Sequence, residues 1–239
     1  MTALINPYWY AGPATDPYFA NVVLLLHCDG TNGSTANLVD NSPAAHTVTQ
    51  TGTSLTTGQF KFGTASLDNP AGGGTYASTP DSNDWNFAGG QFTVECWIRP
   101  TAAISGLQYP LAQWGGAGSR AWGLRLNGGA PGFLDFQYSN NLTGSLFVSG
   151  AYLPPTNTWT HLAADRDAGN TLRIYADGVV IGSGSAGVGI ANSTTPLRIG
   201  SDLTGTNSFV GQIDDIRITK GVARYAGAFT PPTAPFPDS

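Results

Sequence analysis

Apolar residues along this chain fall in short runs, many alternating with polar ones, and each run is closed by Gly, Pro, Asn, Asp or Ser. They occupy residues 22–28, 92–99, 122–126, 133–138, 159–163, 172–175, 179–181, 197–199 and 212–218. That spacing predicts an all-β sandwich. The clearest local signal is TLRIYADGVVIGSG, where Leu172 and Ile174 alternate with Arg173 and Tyr175 and Asp177-Gly178 supplies the positive φ of a tight hairpin. No long stretch has a 3.6-residue period free of Gly and Pro, and residues 222–228 allow a turn or two of helix at most. Residues 1–20 are aromatic and proline-bearing without periodicity, and the ending PPTAPFPDS cannot be a central strand because Pro lacks the N–H donor. Both segments read as extended arms around a domain spanning residues 21–225, with 226–239 as a Pro-rich tail.

The length of 239 residues suits one large β domain. Only 10% of residues are charged and the net charge is −5, with the ten basic residues scattered singly, so the stripe that a phosphate backbone requires is missing. Nucleic acid is excluded as an expected partner. No apolar run approaches the ~20 residues of a membrane-spanning helix. The N-terminal stretch carries no Lys or Arg and no unbroken apolar segment, so no secretory signal is expected and the chain stays where it is made until lysis or assembly. Cys28 and Cys96 each sit among alternating apolar residues, which favours buried free thiols and leaves a bridge between neighbouring strands open.

Four segments then carry a resemblance: FTVECWIRP; the strand with Trp159, Thr160 and His161 followed by LRIYADGVVIGSG; LRIGSD; and FVGQIDDIRITKGVARY. In this order they resemble the strands of laminin-G-like domains of the concanavalin A-like jelly-roll class, which implies an antiparallel jelly-roll sandwich over residues 21–225. The pair VVLLLHCDGTNGST and GVARYAGAFTPPTAPFPDS is similar to the version of this domain in tailed-bacteriophage virion proteins, although that version usually has Phe where this chain has Cys28. The resemblance implies a structural virion protein, either a capsid decoration or head fibre or a tail component, as the chain's location. It implies other virion proteins as partners, with trimers common among displayed proteins of this kind.

Glycan hydrolases need two carboxylates across the sugar bond, but the chain has a single glutamate, Glu95, and lacks the glutamate-aspartate-glutamate strand motif. An enzyme is therefore not expected. His27 and Cys28 are neighbours in a strand and point to opposite faces, so they form no dyad. The match of GSGSAG to a dinucleotide fingerprint is a decoy, because no helix follows it.

A structural calcium ion is the cofactor that the resemblance implies, placed near Asp29 and Asp214 or Asp215, with Asp40 closing the loop after Asp29. The alternative is that Asp29 and Asp40 cap turn amides and Asp214 pairs with an arginine such as Arg217 or Arg198. Sharing a face with Ile216 and Ile218 would turn Asp214 inward. For a surface glycan, Trp114, Trp122, Tyr138 and Asn140 lie in or beside turn-rich segments and could form an aromatic platform. Tyr8, Trp9, Tyr10, Tyr18 and Phe19 of the first arm are the expected partner-docking residues. Together these features point to a virion protein displaying a jelly roll that binds glycans weakly, with a stand-alone lectin-like module as the rival and a glycan-cleaving enzyme third.

Overall fold

The computed structural model describes residues 15–239, and Tyr8, Trp9 and Tyr10 lie outside them. Two antiparallel sheets pack face to face. One runs β13 (Val179–Ser185), β12 (Thr171–Ala176), β11 (Thr160–Arg166), β6 (Phe92–Pro100), β15 (Gly211–Lys220), β4 (Ser66–Asn69), β3 (Ser54–Thr56), with β1 (Val22–Leu26) also paired to β15. The other runs β10 (Leu146–Ala151), β9 (Phe133–Leu142), β8 (Arg120–Asn127), β7 (Leu107–Gln113), β14 (Leu197–Ile199), β5 (Tyr76–Thr79), β2 (Thr49–Thr51). Between them lies one apolar core in which Leu24, Trp85, Phe92, Trp122, Phe136 and Ile216 are all buried. Helix is limited, among the described residues, to one-turn 3-10 segments at Phe19–Asn21 and Asn83–Trp85.

The hairpin forms as read, with Asp177 at φ 46° and Gly178 at φ 77° joining β12 to β13. The decoy glycines fall within and just after β13. Strand β7 was not legible because Pro110 interrupts LQYPLAQ; a bulge between Gln108 and Leu111 absorbs the missing donor.

Strand β15 departs from simple alternation. Along one edge it pairs with β6, and along the other it pairs first with β4 and then with β1. Between these two neighbours the register slips, and Asp215 takes φ 44°. Ile213, Ile216 and Ile218 consequently all reach the core. The expectation that Asp214 shares the inward face of Ile216 and Ile218 is corrected by this bulge: continuing from Ile213, Asp214 turns to the other side.

The C-terminal segment is not a free arm. Phe229 stacks on Tyr225 with ring centroids 3.5 Å apart and meets His161 and Tyr175 edge-on. Phe236 is buried against Val22 and Leu25, the Arg217 guanidinium lies 3.8 Å from its ring centroid, and the Asp16 N–H donates to the Ser239 carbonyl at 2.6 Å. This packing explains the unbroken Leu24-Leu25-Leu26 run: Leu24 and Leu26 face the sandwich core and Leu25 faces the C-terminal segment. Phe19 packs on the same cluster while Tyr18 is exposed, so of the two described docking candidates one is used within the chain itself.

Candidate functional site

The covered face of the eight-stranded sheet holds a buried charged network. Arg217 donates Nε to Glu95 at 2.9 Å and an ω-nitrogen to Asp16 at 3.2 Å, while Arg224 reaches both Asp16 oxygens at 2.9 and 2.7 Å. Glu95 also meets His161 Nε2 at 3.1 Å and accepts from the Tyr225 hydroxyl. Burial alone would raise the Glu95 pKa, but the Arg217 charge, helped by His161 and Tyr225, brings it down to about 2. The only glutamate is thus fully buried and committed to structure.

Where β1 ends, His27 leaves the sheet on the side opposite Cys28. Its Nδ1 sits 2.7 Å from Asp215 and its Nε2 2.7 Å from Asp238. Burial opposes the charged ring, yet the two carboxylates outweigh it and raise the His27 pKa to about 9, giving an imidazolium at neutral pH. Asp238 also accepts from the Asn41 side-chain amide at 3.4 Å. Asp29 follows, and its Oδ1 accepts from the Thr64 N–H, the Thr64 hydroxyl at 2.9 Å and the Ala65 N–H at 3.3 Å. Gly63, at φ 64°, passes so close to this carboxylate that a side chain there would collide with it.

Between this loop and the C-terminal segment lies a cleft of about 320 Å³. Its lining combines Asp29, Ser34, Asn37, Asn41 and Asp238 with the buried edges of Leu38 and Leu55 and with Val39, which is 71% exposed. A second cavity of about 450 Å³ shares His27 and Asp29 and is closed by residues 234–239. The arrangement presents hydroxyl-accepting carboxylates and two-way amides beside an apolar wall, the chemistry of a polyol seat.

The four expected calcium carboxylates are distributed differently. Asp40 accepts the N–H groups of Leu25 at 2.9 Å, Ser42 at 3.0 Å and His46 at 2.7 Å, plus the Ser42 hydroxyl. Asp214 accepts the N–H groups of Lys61 at 2.7 Å, Phe62 at 3.2 Å and Asp215 at 2.9 Å, and burial still raises its pKa to about 7. Asp215 faces His27 and the Phe236 N–H at 3.0 Å. A hard cation requires converging oxygens, whereas these carboxylates face N–H and hydroxyl donors, and no cluster of three or more metal-ligating side chains occurs among the described residues. This donor set does not fit calcium. Asp29 and Asp40 cap turn amides, as the alternative reading had it. Asp214 is held by amides, and neither Arg217 nor Arg198 pairs with it.

The aromatic platform is corrected as well. Trp122 and Tyr138 belong to the sandwich core, with the Trp122 Nε1 donating to the Trp85 carbonyl at 3.0 Å. Trp114 is buried in a small separate cluster with Tyr109 and Ala112, and only Asn140 of the four is exposed. Alternation in 122–126 and 133–138 did not reveal which side met the second sheet. Both cysteines are free and buried, which settles the open bridge. Sequence reasoning missed Asn37, Asn41 and Asp238 as cleft residues. No local pattern could have joined Asp238 to His27, 211 positions away.

The comparisons with known proteins bear on the fold. In solved structures, the binding domain of Paraclostridial Mosquitocidal Protein 1 superimposes with TM-score 0.65 at 16% identity over 86% of this chain and 50% of that one. The botulinum neurotoxin serotype D binding domain gives 0.66 at 14% identity over 87% and 50%. This chain therefore spans about half the length of those toxin domains. Domain 4 of AbnA, an extracellular GH43 arabinanase from Geobacillus stearothermophilus solved with arabinotriose, gives 0.59 at 18% identity over 84% of this chain and 93% of that one. These likenesses concern the fold. No curated protein matches. The model of the Laminin_G_3 family matches residues 71–224, well over half the chain, and the chain therefore belongs to this family of the concanavalin A-like lectin/glucanases superfamily.

Proposed function

We propose that this chain is a non-catalytic glycan-binding domain whose sugar seat is the cleft between the loop after β1 and the C-terminal segment, displayed on the virion of a tailed phage. The observation that carries the binding reading is the cleft itself, about 320 Å³ in volume, whose lining combines Asn37, Asn41, Asp29 and Asp238 with Val39 and Leu38. Amides and carboxylates take up sugar hydroxyls while the apolar wall receives the C–H face of the ring. The arabinanase domain, which matches nearly end to end and was solved with arabinotriose, supports a saccharide as the ligand class. Burial of Glu95 supports binding without cleavage.

The virion setting is supported by the resemblance of VVLLLHCDGTNGST and the C-terminal stretch to phage proteins. Because residues 226–239 pack on their own domain, attachment in this reading falls to residues 1–14. A glycan array tests binding: the wild-type chain retains one or more neutral oligosaccharides, and Asn37→Ala and Val39→Glu, at exposed positions, lose them. Equal retention by both variants refutes the seat, and release of reducing ends from a retained glycan refutes the non-catalytic reading. Deleting residues 1–14 is expected to abolish incorporation into particles; undiminished incorporation refutes the attachment role.

A further inference from the structure

Arg166 is a buried cation with no carboxylate beside it. Along β11, Leu162 and Ala164 face the sandwich core, and two residues further on Arg166 keeps the same inward side at the end of the strand. Phe92 of β6 and Leu172 of β12 oppose it in register, and both are buried. Arg166 itself is 2% exposed, more deeply buried than Arg217.

The carboxylates of the neighbourhood are engaged elsewhere. Asp165 and Asp167, which flank Arg166 in sequence, both pair with Arg173, while Arg217 and Arg224 share Asp16 and Arg125 has Asp135. One ω-nitrogen of Arg166 donates to the Ala88 carbonyl at 2.9 Å and the other to Asn170 Oδ1 at 2.6 Å. Its Nε is buried with no partner among the described residues, and each ω-nitrogen keeps a second N–H. Burial holds the Arg166 pKa below the ordinary arginine value with no carboxylate to oppose it, whereas carboxylates hold Arg173 and Arg217 above that value. The group that does act on Arg166 is the phenol of Tyr138, a core residue 4% exposed. Burial raises the Tyr138 pKa, the Arg166 charge opposes the rise, and no hydrogen bond to a described residue contributes.

A short cover closes this end of the sandwich. The Ala186 N–H donates to the Asn170 carbonyl at 2.8 Å and the Ile190 N–H to the Ala88 carbonyl at 2.8 Å, so the cover is pinned to the same two residues that hold the guanidinium. Between the pins run Gly187, Val188 and Gly189, all exposed. The Ala88 carbonyl thereby accepts twice and has no lone pair left for the remaining guanidinium N–H groups.

We infer that Arg166 and Tyr138 form a seat for a small inorganic anion of the size of chloride, held by Nε and the remaining ω N–H groups with the phenol O–H as a further donor, beneath the bridge of residues 187–189. An uncompensated guanidinium is costly to bury, and a compact anion cancels its charge while accepting from several donors at once. A monatomic anion is the smallest that does so, which suits a position closed by a three-residue bridge. The seat shares no residue with the cleft, and its fate is independent of the sugar reading.

Thermal melting of the whole chain tests it, with sodium chloride replacing sodium gluconate at fixed ionic strength so that screening stays constant. Chloride raised from zero to about 100 mM should increase Tm saturably, by about 3–6 °C once it exceeds its Kd roughly tenfold. Arg166→Met should lose this dependence, and Tyr138→Phe should weaken the apparent chloride affinity by about two- to tenfold, the size of one lost hydrogen bond. Crystals of the wild-type chain grown in bromide supply a readout that needs no variant: an anomalous peak is expected within hydrogen-bonding distance of Arg166 Nε. A Tm indifferent to the exchange of gluconate for chloride, a dependence retained in folded Arg166→Met, or bromide crystals without a peak at Arg166 overturns the inference.

Discussion

Replacing Glu95 by Gln tests whether the C-terminal segment is held over the sheet by charge. The side chain is fully buried between Arg217, His161 and Tyr225. Its pKa falls from an ordinary 4.5 to about 2, which corresponds to roughly 3 kcal/mol of stabilisation of the charged form. Removing one partner of a buried ion pair generally costs about 3–5 kcal/mol, which agrees with that figure. The depressed pKa fixes the sign: the stabilisation is complete above the unfolded-state value of 4.5 and disappears as pH falls toward 2. Urea unfolding followed by tryptophan fluorescence should show Glu95→Gln less stable by about 3 kcal/mol at pH 7, with Tm lowered by roughly 6–12 °C. Between pH 4.5 and 2 the wild type should converge on the variant. A variant within about 1 kcal/mol of wild type at pH 7, or a gap that persists at pH 2, would refute this electrostatic account.

Three further outcomes follow from the geometry. His27→Gln removes the bridge from Asp215 to Asp238, so hydrogen-exchange protection of the Phe236 amide should fall at neutral pH. In the wild type, the raised His27 pKa means this protection is full below 6.5 and is lost as pH rises through about 9; protection unchanged across that window contradicts the role given to this bridge. Trp122→Ala should destabilise by about 3–5 kcal/mol because the ring is wholly buried, and a near-neutral change would return Trp122 to the surface. Excess chelator or added calcium should leave Tm unchanged, whereas an increase of about 5 °C with calcium would show that the carboxylates bind it.

The sandwich and its hairpin were readable because alternation and the Asp177-Gly178 turn are local signals. The short strands β2 to β5 were not, since a strand such as Ser54–Thr56 commits a single buried residue, Leu55, and shows no period. The fate of Asp214 turned on a bulge placed where β15 changes neighbours, a property of sheet order that local pattern does not carry. The C-terminal segment misled for a similar reason. Its prolines correctly excluded a central strand, but Phe229 packs half-buried and Phe236 fully buried through contacts with residues distant in sequence. At the cleft, Asp29 was legible as leading into a loop, but β1 already ends at Leu26 and Cys28 takes φ 57°, so His27 and Cys28 lie beyond the strand in which alternation had placed them. Which groups gathered around that loop depended on Asp238 and Asn41 arriving from elsewhere.

The central claim is that the cleft after β1 is where this domain holds sugar. Its most direct test is an amide chemical-shift titration of the ¹⁵N-labelled chain with arabinotriose and with the neutral oligosaccharides retained on the array. The account predicts that shifts from a binding sugar concentrate at Asp29, Ser34, Asn37, Val39, Asn41 and Asp238, and that Asn37→Ala abolishes them. No response at the cleft to any of these sugars, or saturable shifts confined to another face, would contradict it.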